Sequence, residues 1–209
     1  MQFTDRSRVR RLPARGSQEW SEICGILDAA FLAHVGFALD GQPFVIPTLF
    51  GRREQTLYLH GSAASRMLRQ LEQGIAACVT VTLVDGFVLA RSAFHHSMNY
   101  RSVVAFGTAR KIQEDTAKEE ALRVVSEQVI AGRWQDVRLP TAKELKATTV
   151  LAFEIEEASA KVRTGGPKDE EEDYALPIWA GVVPLRMERG AAIPDPLLPT
   201  NVPPPEYVR

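Results

Sequence analysis

Two Asp-Gly pairs, Asp40-Gly41 and Asp85-Gly86, constrain this chain more than any other feature. Asp-Gly suits the two-residue turns in which both central residues take positive φ, and such turns join adjacent antiparallel strands. The runs around them, 31–39, 44–50, 57–60, 76–83, 87–90 and 100–112, are short and rich in β-branched and aromatic residues. This is the pattern of hairpins and a meander, not of βαβ units. Residues 148–155 read as a further strong strand and 178–183 as one more.

Helices are inserted between these strands. Ser17 is placed to cap a helix over residues 18–29, with Trp20, Ile23, Cys24, Leu27 and Ala30 at helical spacing. Ser62 is placed to cap residues 63–73, with Gly74 as the stop. Thr116 with Glu119, and Thr141 with Glu144, have the spacing of capping boxes. The sum is a mainly β fold with inserted helices: an antiparallel closed or split β-barrel with helices packed on it. Pro47 falls inside a strand pattern and marks an edge, a bulge or a ligand-facing break.

The expected division is a basic tail over residues 1–16, one domain over 17–187, and a proline-rich tail over 188–209. A chain of 209 residues buries a sizeable core without disulfides. A net charge of −1 provides no global pull toward nucleic acid or an anionic membrane, and neither is expected as a partner. The early arginines read as a solvated tail, and the acidic run 169–173 as a solvated loop. Cys24 and Cys78 form no CxxC and read as buried thiols. No apolar run approaches the roughly 20 residues that span a bilayer, and no leader-like apolar stretch follows the basic start, so a cytoplasmic protein is expected.

The chemistry concentrates between residues 57 and 107, which hold His60, His95 and His96. His60-Gly61-Ser62 reads as a strand opening into a helix, a start whose free N–H groups attract an anion, with Arg66 one turn further in. An ordinary serine cap is the alternative. Adjacent His95 and His96 point to opposite sides of an extended backbone and make poor joint ligands, and no HxH, HExxH or CxxC is present, so no metal site is expected. No GxSxG supports a serine hydrolase and no GxGxxG a dinucleotide fold. Gly165-Gly166-Pro167 reads as a turn.

Residues 40–50, 57–62, 78–86 and 90–107 together resemble the pyridoxamine 5'-phosphate oxidase-related, FMN-binding split-barrel proteins. More narrowly, it resembles the flavin-nucleotide-binding branch, which is similar to the nitroimidazole-resistance proteins. His95-His96-Ser97-Met98-Asn99-Tyr100-Arg101-Ser102 is the most specific stretch. The resemblance implies a homodimer with flavin at the subunit interface. Pro47 and Thr48 would lie beside the flavin ring, and His60, Gly61, Ser62 and Arg66 would hold its phosphate. Asn99, Tyr100, Arg101 and Ser102 would line the same cleft, with His95 and His96 near the partner. It implies FMN as cofactor and an oxidoreductase acting on a small-molecule substrate, with His95 and Tyr100 the candidate catalytic residues. A non-catalytic flavin module and a haem-binding relative are the alternatives. The oxidases themselves carry an Arg-x-His substrate segment near their end. This chain has no histidine after His96, which argues against vitamin B6 oxidation.

Overall fold

The computed structural model describes residues 4–199 and 201–208. Its strands are β1 (Gly16–Ser17), β2 (Leu32–Leu39), β3 (Gln42–Arg53), β4 (Thr56–Ser62), β5 (Ala76–Leu89), β6 (Ser97–Lys111), β7 (Thr148–Arg163) and β8 (Gly181–Pro184). The helices are α1 (Trp20–Asp28), α2 (Arg66–Leu71), α3 (Asp115–Val129) and α4 (Ala142–Ala147). All strand pairs are antiparallel, in the order β7-β4-β3-β2-β5-β6, and β6 returns to β7 to close a barrel. β1 adds to β7, and β8 adds to β5.

The barrel is split at β3. Residues 42–49 pair with β2, whereas Phe50–Arg53 pair with β4. Pro47 lies in the first part, where the strand has a neighbour on one side only, the setting in which a residue without an N–H is tolerated.

Alternation fills the interior. Ala33, Val35 and Phe37 of β2, with Phe50, Leu57, Leu59, Val79, Val81, Val103, Leu151 and Phe153, form the core, and Phe44 of β3, opposite Phe37, packs against it. α1 sends Ile23, Ile26 and Leu27 into it, and α2 sends Met67, Leu68 and Leu71. α3 lies outside, packing Ala121 and Leu122 against Tyr58, Val150 and Ala152. Gln128 of α3 fastens it to the end of α1, donating to the carbonyls of Leu27, Asp28 and Ala30 at 3.1, 3.2 and 2.7 Å. Among the described residues no helix is long and apolar enough to cross a membrane.

Several local expectations change in tertiary context. Asp40 and Gly41 do form the tight turn, at φ +49° and +79°. Asp85-Gly86 does not: β5 runs on through it, bulging between Val84 and Gly86 while paired to β6. Ser62 does not open a helix, because β4 stays paired through Gly61 and Ser62 to Thr149 and Thr148. Ser65 is the cap of α2, accepting from the Leu68 amide, and Arg66 is the first helical residue. Ser17 sits in β1 opposite Ala160, and α1 begins at Trp20. The Thr116–Glu119 box does not form, since α3 starts at Asp115, two residues too early for Thr116 to cap it. The Thr141–Glu144 box forms in full.

The N-terminal tail and the acidic loop, both expected to be solvated, are docked instead. Thr4, Arg6 and Ser7 converge on Glu157 of β7, and Ser7 is buried. Asp169 of the acidic run is fully buried at its side chain.

Candidate functional site

β4 alternates, so Leu57, Leu59 and Gly61 face the core while Tyr58 and His60 face outward. The outer side of β3 and β4 is roofed by α3. Roof and barrel touch at Gly51 but diverge beyond it, leaving a cleft of about 480 Å³. Leu49, Leu122, Val125, Val129 and Ile130 supply apolar walls around His60. Arg133, Trp134, Arg138 and Glu144 add polar and aromatic groups to the lining.

His60 is the unusual group. Its Nδ1 is buried and has no hydrogen-bond partner. Burial pushes its pKa below the ordinary histidine value, which keeps the imidazole neutral with a lone pair available. A polar atom left unsatisfied in an apolar cleft is costly unless something else engages the ring. The two rim arginines differ. Arg138 is paired with Glu144 through both its terminal nitrogens, at 2.9 and 2.7 Å. Arg133 has no carboxylate within ion-pair distance among the described residues.

The remaining sequence candidates are divided by the pleat of their strands. Pro47 shares the outer face of β3 with Leu49, and Thr48 points inward opposite Ala33. Gly61 faces α2, where an added Cβ would stand 3.2 Å from Leu68 Cδ1. Ser62 Oγ accepts from the Ala64 amide at 3.2 Å. Arg66 lies over the Phe44 ring at 5.5 Å, and that ring stacks on Phe37. His60 and Arg66 therefore sit on opposite sides of β4.

Asn99 is buried, donating to Gly165 O at 3.1 Å and accepting from Arg163. Arg101 grips Asp85 with two bonds of 2.9 and 2.7 Å, which lowers the Asp85 pKa and raises that of Arg101. Ser102 Oγ donates to Lys161 O at 3.3 Å. Tyr100 is half-buried on the outer face, opposite Val84. His96 Nδ1 accepts from the Ala90 amide at 3.2 Å, and His95 Nε2 lies 3.3 Å from Glu170. Asp169 accepts from the amides of Arg91 and Ser92 at 2.9 and 3.3 Å. Both histidines thus help fasten the turn over residues 92–96. Among the described residues no group of three or more His, Cys, Asp or Glu could hold a bare metal ion.

Sequence reading missed Leu49, Val125, Ile130, Arg133, Trp134 and Arg138 as cleft residues. The available signal was Leu122, Val125 and Val129 on one helical face, running into Ile130 and Gly132-Arg133-Trp134.

The antiparallel split barrel is the fold of pyridoxamine oxidase-like flavin-binding proteins. The profile of the pyridoxamine 5'-phosphate oxidase family matches residues 19–162, and the chain belongs to that family. It is similar to the flavocytochrome Anf3 from Azotobacter vinelandii, at 44% identity over 98% of this chain and 95% of the other, with a TM-score of 0.92. It is also similar to the FAD and heme binding protein from Mycobacterium smegmatis, at 40% identity over 93% and 95% of the two chains, with a TM-score of 0.89. A protein of Bacteroides thetaiotaomicron described as a 5-nitroimidazole antibiotic resistance protein shares the fold, at 24% identity over 70% and 86%, with a TM-score of 0.60. Among curated proteins nothing matches the chain.

Proposed function

We propose that this protein is a flavin- and haem-binding oxidoreductase acting on a small molecule, with the haem in the α3 cleft and His60 as its iron ligand. The observation that carries the reading is the buried His60 Nδ1, unpartnered in a mainly apolar cleft that two arginines also line. A haem is a flat apolar ring with an iron that takes a neutral imidazole and two carboxylates that take cations. The walls from Leu49, Leu122 and Val129, the His60 ring, and Arg133 and Arg138 fit those three needs, and the cleft volume lies in the usual range for small-ligand sites. The names of the two relatives at 44% and 40% identity, a flavocytochrome and an FAD and heme binding protein, support the pairing of cofactors. The second name favours FAD over the FMN expected from sequence. When bound, the two groups would supply one- and two-electron transfer.

For the flavin we propose a site completed by a second copy of the chain. Phe87 lies directly opposite Val183 on one side and Met98 on the other, and all three are exposed. Val84 and Tyr100 continue this apolar face along the same strands. Contiguous exposed apolar surface of this kind marks an interface. Arg66 has no carboxylate partner among the described residues and is available to a phosphate. Pro47 and Thr48 lie on the free edge of β3. Cys24 and Cys78 are free thiols, which suits the cytoplasm. Vitamin B6 oxidation is not proposed.

The test is a visible spectrum after reconstitution with haem and FAD. The unaltered protein should show a sharp Soret band and the flavin bands. His60→Ala should lose or shift the Soret band and keep the flavin. An unchanged Soret band in His60→Ala removes His60 as ligand. Mass spectrometry of the released flavin separates FAD from FMN, and turnover of NAD(P)H separates an enzyme from a passive carrier.

A further inference from the structure

The C-terminal segment returns to the cleft. The Tyr207 hydroxyl accepts from Arg133 at 3.2 Å and donates to Asp136 Oδ2 at 2.7 Å. Its ring covers Gly132, where an added Cβ would stand 3.3 Å from Tyr207 Cδ1; Gly132 takes φ +87°, which few other residues adopt. Further up the same segment, Arg189 donates to Val129 O at 3.3 Å and to Tyr207 O at 3.5 Å. Val129 ends α3, where carbonyls lack helical partners and the dipole is negative, so a guanidinium is favoured there. The segment is therefore fastened to the corner formed by the end of α3 and the turn Arg133–Asp136.

That corner is a rim of the cleft, since Val129, Ile130, Arg133 and Trp134 all line it. The tyrosine hydroxyl stands between Arg133 and Asp136. It accepts from the first and donates to the second, and so stands between the cation and the carboxylate that would neutralise it. A direct Arg133–Asp136 pair would turn the guanidinium away from any ligand anion.

We infer that Tyr207 is a positioning residue: it holds Arg133, uncompensated, as the group that receives a carboxylate of the cleft's ligand. This rests on the haem reading above, in which the carboxylates are the haem propionates. Arg138, already paired with Glu144, contributes less.

The test measures release of haem from the reconstituted full chain to excess apomyoglobin. Tyr207→Phe should release haem about five- to tenfold faster, the effect of losing one or two hydrogen bonds. Arg133→Gln should release it at least as fast, and the double variant no faster than Arg133→Gln alone, because the two act through one contact. With haem dimethyl ester, whose carboxylates are capped, Tyr207→Phe and the unaltered chain should release at the same rate. Unchanged haem release in Tyr207→Phe, independent effects in the double variant, or faster release of the ester would each overturn the assignment. A chain that takes up no haem at all overturns the cleft reading, and this inference with it; uptake with uncoupled release overturns the inference alone.

Discussion

Gly51 of β3 and Val125 of α3 meet backbone to backbone: a Cβ on Gly51 would stand 2.6 Å from the Val125 amide nitrogen. This contact sets the height of the helix over the barrel wall, and so the shape of the cleft around His60. Gly51→Ala must push α3 away, because the atoms it meets are main chain and cannot rotate aside. Overpacking of this kind costs about 1–3 kcal/mol. Urea unfolding should show the lower midpoint, and haem affinity should fall with it. An unchanged midpoint would mean that α3 is not seated on Gly51.

His60 ties stability to pH. Burial lowers its pKa from the ordinary 6.5, so between the lowered value and pH 6.5 the unfolded chain carries more protons than the folded one. Its stabilising contribution is fully present above pH 6.5 and is lost as pH falls through the lowered value. Chemical unfolding of the cofactor-free protein should show stability rising with pH across that window. His60→Gln should flatten the slope; an identical slope in the variant would assign the effect to other groups.

Glu157 anchors the N-terminal arm. Bonds from the Thr4 hydroxyl and amide, the Ser7 hydroxyl and the Arg6 side chain pull its carboxyl from 4.5 to about 2. The anchoring is complete above pH 4.5 and is lost as pH falls toward about 2. Glu157→Gln should release the arm at neutral pH. Trypsin should then cut faster at Arg8, Arg10 and Arg11, and equal cutting rates would show that the arm is held elsewhere.

Asp169 secures the turn over residues 92–96. Asp169→Ala leaves the amides of Arg91 and Ser92 without their acceptor and removes the Arg91 ion pair at 3.1 Å. Hydrogen exchange across residues 91–96 should accelerate, and the thermal midpoint should drop. Protection equal to that of the unaltered chain would contradict this role.

Phe87 is the centre of the proposed contact between two copies. Phe87→Glu places a charge amid Val183 and Met98, which a buried interface does not tolerate. Sedimentation should show the unaltered chain as a dimer and the variant as a monomer with weakened flavin binding. A variant that stays dimeric would move the interface to another face.

Asp40-Gly41 and Asp85-Gly86 show where sequence suffices and where it does not. The first pair sits between two strands that pair only with each other at that end, so local backbone preference decides, and the turn forms as read. The Thr141–Glu144 box, the alternating strands and the family resemblance were legible for the same reason: each depends on residues near one another in the chain, or on pattern alone. The second pair has identical chemistry, but Gly86 is flanked by Pro184 of β8 and Asn99 of β6, and Arg101 holds Asp85. Ladder bonds on both sides outweigh the turn preference, and a bulge results. Likewise, pairing with Thr148 and Thr149 carried β4 past Gly61-Ser62 and erased the helix start read there. The sequence by itself determined an antiparallel barrel of the pyridoxamine 5'-phosphate oxidase family and singled out His60. Only the tertiary structure decided what His60 faces. Its strand parity turns it outward, and the packing of α3, distant in sequence, makes that outer wall a cleft.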